Sequence, residues 1–307
     1  MLKYLATALL LLAGAYLSGG QALAADPGIT DTEILIGDVE PLTGPPALLG
    51  VAASLGHKIA IAEANNAGGI NGRKIKYILE DDGYVTARTI QGVRKIIDVD
   101  KVFAMLGMSG SGQSIAVMPV LEKAGIPTVI DVAPVKFLWE PPRKNVFVVG
   151  QSYEEGIIHL VTYLAEKNPG KKWGLITQDD DYGITVRDGF DAVVKAKKLN
   201  VVYSGNYKKG QQDFSSDMLQ LKESGAEVFL AGGTPKNCLN ATEQFANAER
   251  LGNVVVSAEL KPGNAMLLLI LRRQEQDRSC DAVLPKPATD FLARQLWQHE
   301  IEQDQIL

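Results

Sequence analysis

Ser109-Gly110-Ser111-Gly112 follows the apolar run Val102 to Leu106 and opens a helical pattern carrying Ile115, Val117, Met118 and Leu121. A glycine-rich turn between strand and helix leaves the first N–H groups of the helix unpaired and aims them beyond the strand end. The chemistry this suits is anion binding. A carboxylate there gains about 0.3–1 kcal/mol from the helix dipole when exposed and up to about 2 kcal/mol when partly buried. The plainer reading is that Ser109 or Ser111 caps the helix and the glycines only shape the turn. Other loops of this kind follow other apolar runs: Asp131-Val132-Ala133-Pro134, Asp180-Asp181-Tyr182-Gly183, Gly232-Gly233-Thr234, and Glu259 after Val254 to Val256. Asp131 either attracts a cation or caps the next turn. Tyr182 either covers a solute with its ring, keeping the hydroxyl for a polar partner, or anchors a turn. Thr234 can donate or accept a hydrogen bond.

Covalent catalysis finds little support. Gly107-Met108-Ser109-Gly110-Ser111 misses the nucleophile elbow at its last position. Of the three histidines, His57 and His159 fall within helical patterns and read as surface or packing residues, and His299 lies near the C-terminus. Gly110-x-Gly112 lacks the third glycine of a dinucleotide loop, which would be Ile115. Cys238 and Cys280 are far apart and in no metal-ligand spacing, so neither a zinc site nor a disulfide framework is read, although an oxidising compartment leaves one bridge between them open. No catalytic residue, metal or cofactor is expected, and a net charge of -5 argues against nucleic acid as a partner.

The elements that would position these loops are legible as a repeating unit. Ile34-Leu35-Ile36, Val102 to Leu106, Thr128-Val129-Ile130, Val146 to Val149, Trp173 to Ile176, Val201 to Tyr203, Val228 to Leu230 and Val254 to Val256 are short, turn-bounded apolar runs, as buried parallel strands should be. Helical patterns separate them. Leu48, Val51, Leu55, Ile59 and Ala62 fall on one helix face, expected to pack on a sheet. Gly125, Gly225 and Gly252 each sit just past a helical pattern, where a left-handed cap favours glycine. Strand and helix alternate, which predicts α/β architecture: two Rossmann-like lobes with parallel sheets and right-handed crossovers.

The ends of the chain differ from its middle. Lys3, the apolar stretch Leu5 to Leu17 and Ala22-Leu23-Ala24 before Ala25 have the form of a cleavable export signal, residues 1–24, too short in its apolar part for the roughly 20 residues of a membrane span. Trp139-Glu140-Pro141-Pro142-Arg143-Lys144 is neither helix nor central strand and marks a crossing, giving lobe 1 as 25–149 and lobe 2 as 150–258. From 259 to 307 the alternation stops, and at most one amphipathic helix near Thr289 to Gln303 is expected.

In order, Pro41-Leu42-Thr43-Gly44, Gly68-Gly69-Ile70, Glu80-Asp81-Asp82, Ser109 to Gly112, Gly125-Ile126-Pro127, Asp180 to Gly183 and Asp213-Phe214-Ser215-Ser216 resemble the periplasmic receptors for leucine, isoleucine and valine. The resemblance runs from about residue 33 to 259. It implies a two-lobed, type I periplasmic clamp that closes on an amino acid or a related organic acid or amide and delivers it to an inner-membrane ABC permease. Ser111 matches the hydroxyl that binds the ligand carboxylate, Tyr182 the covering ring, and Glu259 the partner of the ligand ammonium. Ser109 and Gly112 lie in the matching loop, Thr234 lies in a second lobe 2 loop of the right kind, and the edge Asp131-Val132-Ala133 departs from the small and hydroxyl residues of the family there and puts leucine-like ligands in doubt. Loss of the pattern after Glu259 implies a truncated or frameshifted chain with an incomplete lobe 1. A sensor presenting solute to a membrane receptor, or a non-functional truncated paralogue, are the alternative roles.

Overall fold

A computed structural model describes residues 26–247, 254–261, 265–273 and 280–282. Five strands, β1 Glu33–Glu40, β2 Lys74–Asp81, β3 Ala104–Leu106, β4 Thr128–Ile130 and β5 Val146–Val148, form one sheet in the order β2-β1-β3-β4-β5. Every neighbouring pair is parallel. Parallel neighbours need crossovers; α1 Ala47–Asn66, α2 Thr86–Arg94 and α3 Ser111–Ala124 supply three of the four, and the link from β4 to β5 carries only the 3-10 turn Lys136–Leu138. After α4 Tyr153–Lys167, a second parallel sheet, β7-β6-β8, is built from β6 Lys172–Gln178, β7 Asn200–Tyr207 and β8 Val228–Gly232, joined through α5 Asp181–Lys197 and α6 Ser215–Glu223 and followed by α7 Pro235–Asn247. The fold is α/β with parallel sheets.

The two sheets are covered differently. One face of the second sheet packs Trp173, Leu175 and Leu230 against α4 and α5 through Leu160, Val186 and Phe190. Its other face packs Ile176 and Phe229 against Phe214, Met218 and Leu221. The first sheet buries Val39, Met105 and Ile130 beneath Val93, Ile96, Val117 and Leu121 of the α2 and α3 side. Its opposite face is covered by α1 over β1 and open at its β5 edge, where Val146 is 5% exposed and the next residue, Phe147, is 57% exposed.

The covered part of that face explains α1, where the hydrophobic pattern misleads. Leu48, Val51, Leu55 and Ile59 are 47–55% exposed, and Ala62 is exposed too. The helix instead buries Gly50 and Ser54. A Cβ at Gly50 would lie 2.5 Å from the Pro41 carbonyl oxygen, so only glycine permits this approach. The reason lies in β1, whose Asp38 and Glu40 are fully buried. Against buried carboxylates the fitting helix face is small and polar, and the apolar stripe is left outside.

The region after residue 253 also departs from expectation. Val254 to Val256 belong to β9 Val254–Lys261, which pairs antiparallel with β10 Ala265–Arg273, and β11 Cys280–Ala282 adds to the same sheet. The run Met266 to Leu271, given no strand by the sequence reading, therefore lies in a ladder. Two strands separated by only three residues can pair only antiparallel. Cys238 is buried in α7 with its Sγ 3.5 Å from the Ala231 carbonyl oxygen. The export signal of residues 1–24, Gly252 and the stretch Thr289 to Gln303 lie outside the described residues, as does the side chain of Cys280.

Candidate functional site

Residues that follow the strand ends of both parallel sheets line one cleft. Tyr84 comes from beyond β2, Ser109, Gly110 and Ser111 from beyond β3, and Val132 from beyond β4, with Pro46 and Leu49 from the start of α1. Tyr153 opens α4. Across from them stand Tyr182, Gly233, Thr234 and Pro235, which follow β6 and β8. The cleft is half open to solvent, with a volume of about 40 Å³.

Ser111 is the first residue of α3 and is 1% exposed, and its Oγ has no hydrogen-bond partner among the described residues. The N-cap of α3 is Gly110, at φ 102°, with no side-chain cap. Ser109 does not cap either: its hydroxyl donates to Glu40 Oε2, and its backbone bridges to Val132. The capping alternative for the two serines is therefore removed. A buried hydroxyl without a partner is destabilising by about 1–3 kcal/mol, and here it stands beside uncapped N–H groups.

The walls are aromatic. Tyr182 meets Tyr153 edge to face, centroids 5.1 Å apart, and the Tyr153 hydroxyl donates to the Val132 carbonyl at 3.3 Å. Tyr84, in the left-handed region at φ 63°, is 8% exposed and is gripped from the second sheet. Lys209 Nζ lies 3.6 Å from the centre of its ring, and Gln178 Nε2 donates to its hydroxyl at 3.5 Å. Burial lowers the Lys209 pKa and raises that of Tyr84. Thr234 Oγ1 pairs with Asn237 Oδ1 and receives the Asn237 N–H at 3.4 Å, so its hydroxyl serves the start of α7.

Three residues proposed from sequence are not on the cleft surface. Gly112 sits where α3 meets α5, a Cβ there being 3.0 Å from Asp181 Oδ2. Ala133 is fully buried in the core of the first sheet. Asp131 neither caps a turn nor stands ready for an external cation. Its Oδ1 accepts the Met108 N–H at 3.2 Å, and its Oδ2 is 3.3 Å from His57 Nε2. Glu259 pairs with Leu267 in the β9–β10 ladder, and its side chain is outside the described residues.

His57 is correspondingly more than a surface or packing residue. Its Nδ1 is 3.1 Å from Asp38 Oδ2, an oxygen that also accepts from the Tyr77 hydroxyl. Burial alone would lower the imidazole pKa, but hydrogen bonds and charge from Asp131 and Asp38 outweigh it and hold the pKa at about 9. The ring therefore carries a positive charge at neutral pH and bridges two carboxylates. Burial raises the pKa of Asp38. Glu40, which accepts the Met108 N–H at 2.9 Å as well as the Ser109 hydroxyl, is raised well above the carboxylate range by burial and by the charges of Asp131 and Asp38. This network stiffens the loop that carries Ser109 and so positions Ser111 from behind. His159 is exposed.

Sequence reasoning missed Tyr84, Tyr153, Pro46, Leu49 and Pro235. Tyr84 had a usable signal, since it follows Asp81-Asp82-Gly83 at a strand end just as Tyr182 follows Asp180-Asp181. Among the described residues, no group of three or more His, Cys, Asp or Glu is arranged to hold a metal ion.

Comparison with known proteins returns a consistent set of similarities. A family model described as periplasmic binding protein matches residues 33–262. A Leu/Ile/Val-binding protein homolog 7 of Brucella abortus (strain 2308) is 30% identical over 218 residues, covering 68% of this chain and 54% of that protein. The chain thus spans about half the length of the curated relatives it matches. Among solved structures, a type 1 periplasmic binding protein from Bordetella pertussis Tohama I is similar at TM-score 0.68 and 27% identity, over 74% of this chain and 62% of that one. A fatty acid ABC transporter substrate-binding protein from Thermomonospora curvata is similar at TM-score 0.69 and 24% identity, over 76% and 60%, a likeness of fold alone.

Proposed function

This chain belongs to the periplasmic binding protein family, and on that premise we propose that it is the extracytoplasmic solute-binding component of an ABC transporter. It holds an amino acid or a related small carboxylate or amide between its two lobes, residues 25–149 and 150–258, and presents it to an inner-membrane permease. The family implies a periplasmic location, with which the export-signal pattern of residues 1–24 agrees.

One observation carries the reading. Ser111 Oγ is buried, lacks a partner among the described residues and stands at the uncapped start of α3, in a cleft walled by both sheets. A ligand carboxylate placed there receives the hydroxyl and the first N–H groups of α3 at once. Charge-assisted hydrogen bonds of this kind are shorter and about twice as strong as neutral ones, and closure of the cleft removes competing water. Tyr84, Tyr153, Tyr182 and Val132 supply apolar contact for the rest of the solute. Ser109, Gly112, Asp131, Ala133 and Thr234 serve the same site by holding its loops in place, and Glu259 is the proposed partner of an ammonium group where the solute has one.

A thermal-shift panel on the protein beginning at Ala25, using aliphatic and aromatic amino acids, organic acids and amides, tests the proposal. A ligand at 100 times its Kd adds about 2.7 kcal/mol of stability. A flat response across the panel from a folded sample would remove the solute-binding reading. Capture of an ABC permease from inner-membrane extracts by the loaded protein tests the transport role, and capture of a sensor receptor instead would overturn it.

A further inference from the structure

Tyr84 is held from both sheets at once. On its own side the Tyr84 N–H donates to Asp82 Oδ1 at 2.7 Å, and its carbonyl accepts from Gln113 Nε2 at 3.0 Å. From the second sheet come Gln178 Nε2, which donates to the hydroxyl at 3.5 Å, and Lys209 Nζ, 3.6 Å from the ring centre. Gly110 leaves room for the ring, because a Cβ there would lie 2.8 Å from Tyr84 Cε2. The backbone at φ 63° is one that few non-glycine residues adopt, and it persists where surrounding contacts over-determine it.

Lys209 is presented by a built turn. The Gln211 N–H donates to the Lys208 carbonyl at 2.9 Å, and Gly210 takes the third position at φ 86°, as a type II turn requires. Asn237 Nδ2 of α7 donates to the Gln211 carbonyl at 2.7 Å, and Gln211 Nε2 donates to Asp217 Oδ2 of α6 at 2.9 Å. The turn is thus tied to two helices of the second sheet. The charges of Asp180, Asp82 and Asp181 act on the Lys209 ammonium against the effect of burial, and Asp82 stands on the side of the first sheet. Lys209 is not itself part of the cavity wall, whereas Tyr84 is.

We infer that Tyr84 and Lys209 form a clasp across the cleft, one that favours the closed arrangement of the two lobes by the protein's own contacts and makes both of them positioning residues for the solute. The inference deepens the solute-binding reading above and rests on it for its consequence. The cation on the ring and the hydroxyl bonded to Gln178 exist only while the two sides are together, so opening breaks both and exposes the ring. Solute is held by the closed form, and apparent affinity falls in proportion to the fraction of protein in that form. A change at Lys209 therefore reaches the solute only through closure.

Spin labels on Val51→Cys in α1 and Ile184→Cys in α5, both exposed positions, report the separation of the two sides without any solute. The protein used begins at Ala25 and carries Cys238→Ala and Cys280→Ala. Double electron–electron resonance should show a short-distance population beside a longer one. Lys209→Met keeps the stem and removes the charge, and it should lower the short-to-long ratio about 2- to 5-fold, the worth of a cation–π contact at an exposed site. Lys209→Arg returns a cation to the ring and should hold the parent ratio. Lys209 is exposed, so neither substitution disturbs a core. A parent without the short distance, a ratio that Lys209→Met lowers less than about 2-fold, or an Arg variant as open as the Met variant overturns the inference. The solute-binding reading fails separately, through a flat thermal-shift panel, and that result leaves the clasp measurable.

Discussion

Ser111→Ala separates a binding hydroxyl from a structural one because the two roles predict opposite signs. In the unliganded protein the Ser111 Oγ is buried and has no partner among the described residues, so removing it relieves a destabilisation of about 1–3 kcal/mol. Alanine is also the best helix former and leaves the backbone of α3 intact. The ligand-free variant should therefore melt above the parent, by about 2–4 °C for each kcal/mol gained in a chain of this size. Affinity should move the other way. A hydrogen bond to a charged group contributes about 1.5–3 kcal/mol, so Kd for a carboxylate should rise about 10- to 100-fold. Scanning calorimetry on the unliganded proteins and titration with the tightest carboxylate read the two effects. A lower melting temperature together with an unchanged Kd would show that the hydroxyl is structural, and the anion-seat argument would fail.

Three further outcomes follow from the geometry. His57→Ala leaves Asp38 fully buried and facing Asp131, and the side chain keeps 15% exposure, so urea denaturation at pH 7 should show a loss of about 2–3 kcal/mol, below the full figure for a buried pair because solvent screens it. The folded pKa of His57, about 9, lies above the ordinary value of 6.5. Its stabilisation is thus complete below about pH 6.5 and fades as pH rises through 9, and a parent and variant whose stability difference does not shrink over that range would contradict the assignment. Gly183→Ala would place a Cβ 1.7 Å from the Gln178 carbonyl oxygen, and a loss of about 2–3 kcal/mol by the same denaturation assay is expected; a neutral result would contradict this close approach in the β6–α5 turn. Leu55→Gln with Ile59→Gln, both more than half exposed on α1, should reduce binding of a hydrophobic dye while changing stability by no more than about 0.5 kcal/mol per site. A large stability loss would show that this stripe is covered in solution.

Strand and helix order was readable because most of the parallel strands, though not β2 with its Lys74, Lys76, Glu80 and Asp81, carry a short apolar run closed by a turn, and each loop beyond β3 and β6 announces itself by composition. Ser109, Ser111, Val132, Tyr182 and Thr234 could be singled out for that reason, and all five reach one cavity. What periodicity could not convey was the face of α1. Amphipathicity assumes that the sheet beneath is apolar, whereas β1 presents Asp38 and Glu40 there, and the helix answers with Gly50, Ser54 and His57. The His57–Asp38–Asp131 bridge joins three segments far apart in sequence, and no local pattern encodes such a contact. Tyr84 and Tyr153 were likewise invisible as a pair, because only the crossover topology brings the end of β2 and the start of α4 to the same cleft.

The central claim is that a solute carboxylate sits on the start of α3 between the two lobes. The most direct test is a crystal structure of the protein with the tightest-binding carboxylate of the titration. The ligand should have one carboxylate oxygen within hydrogen-bond distance of Ser111 Oγ and its apolar part against Tyr182. Density for the ligand anywhere else, or on Ser111 with Tyr182 turned out of the cleft, would contradict the account.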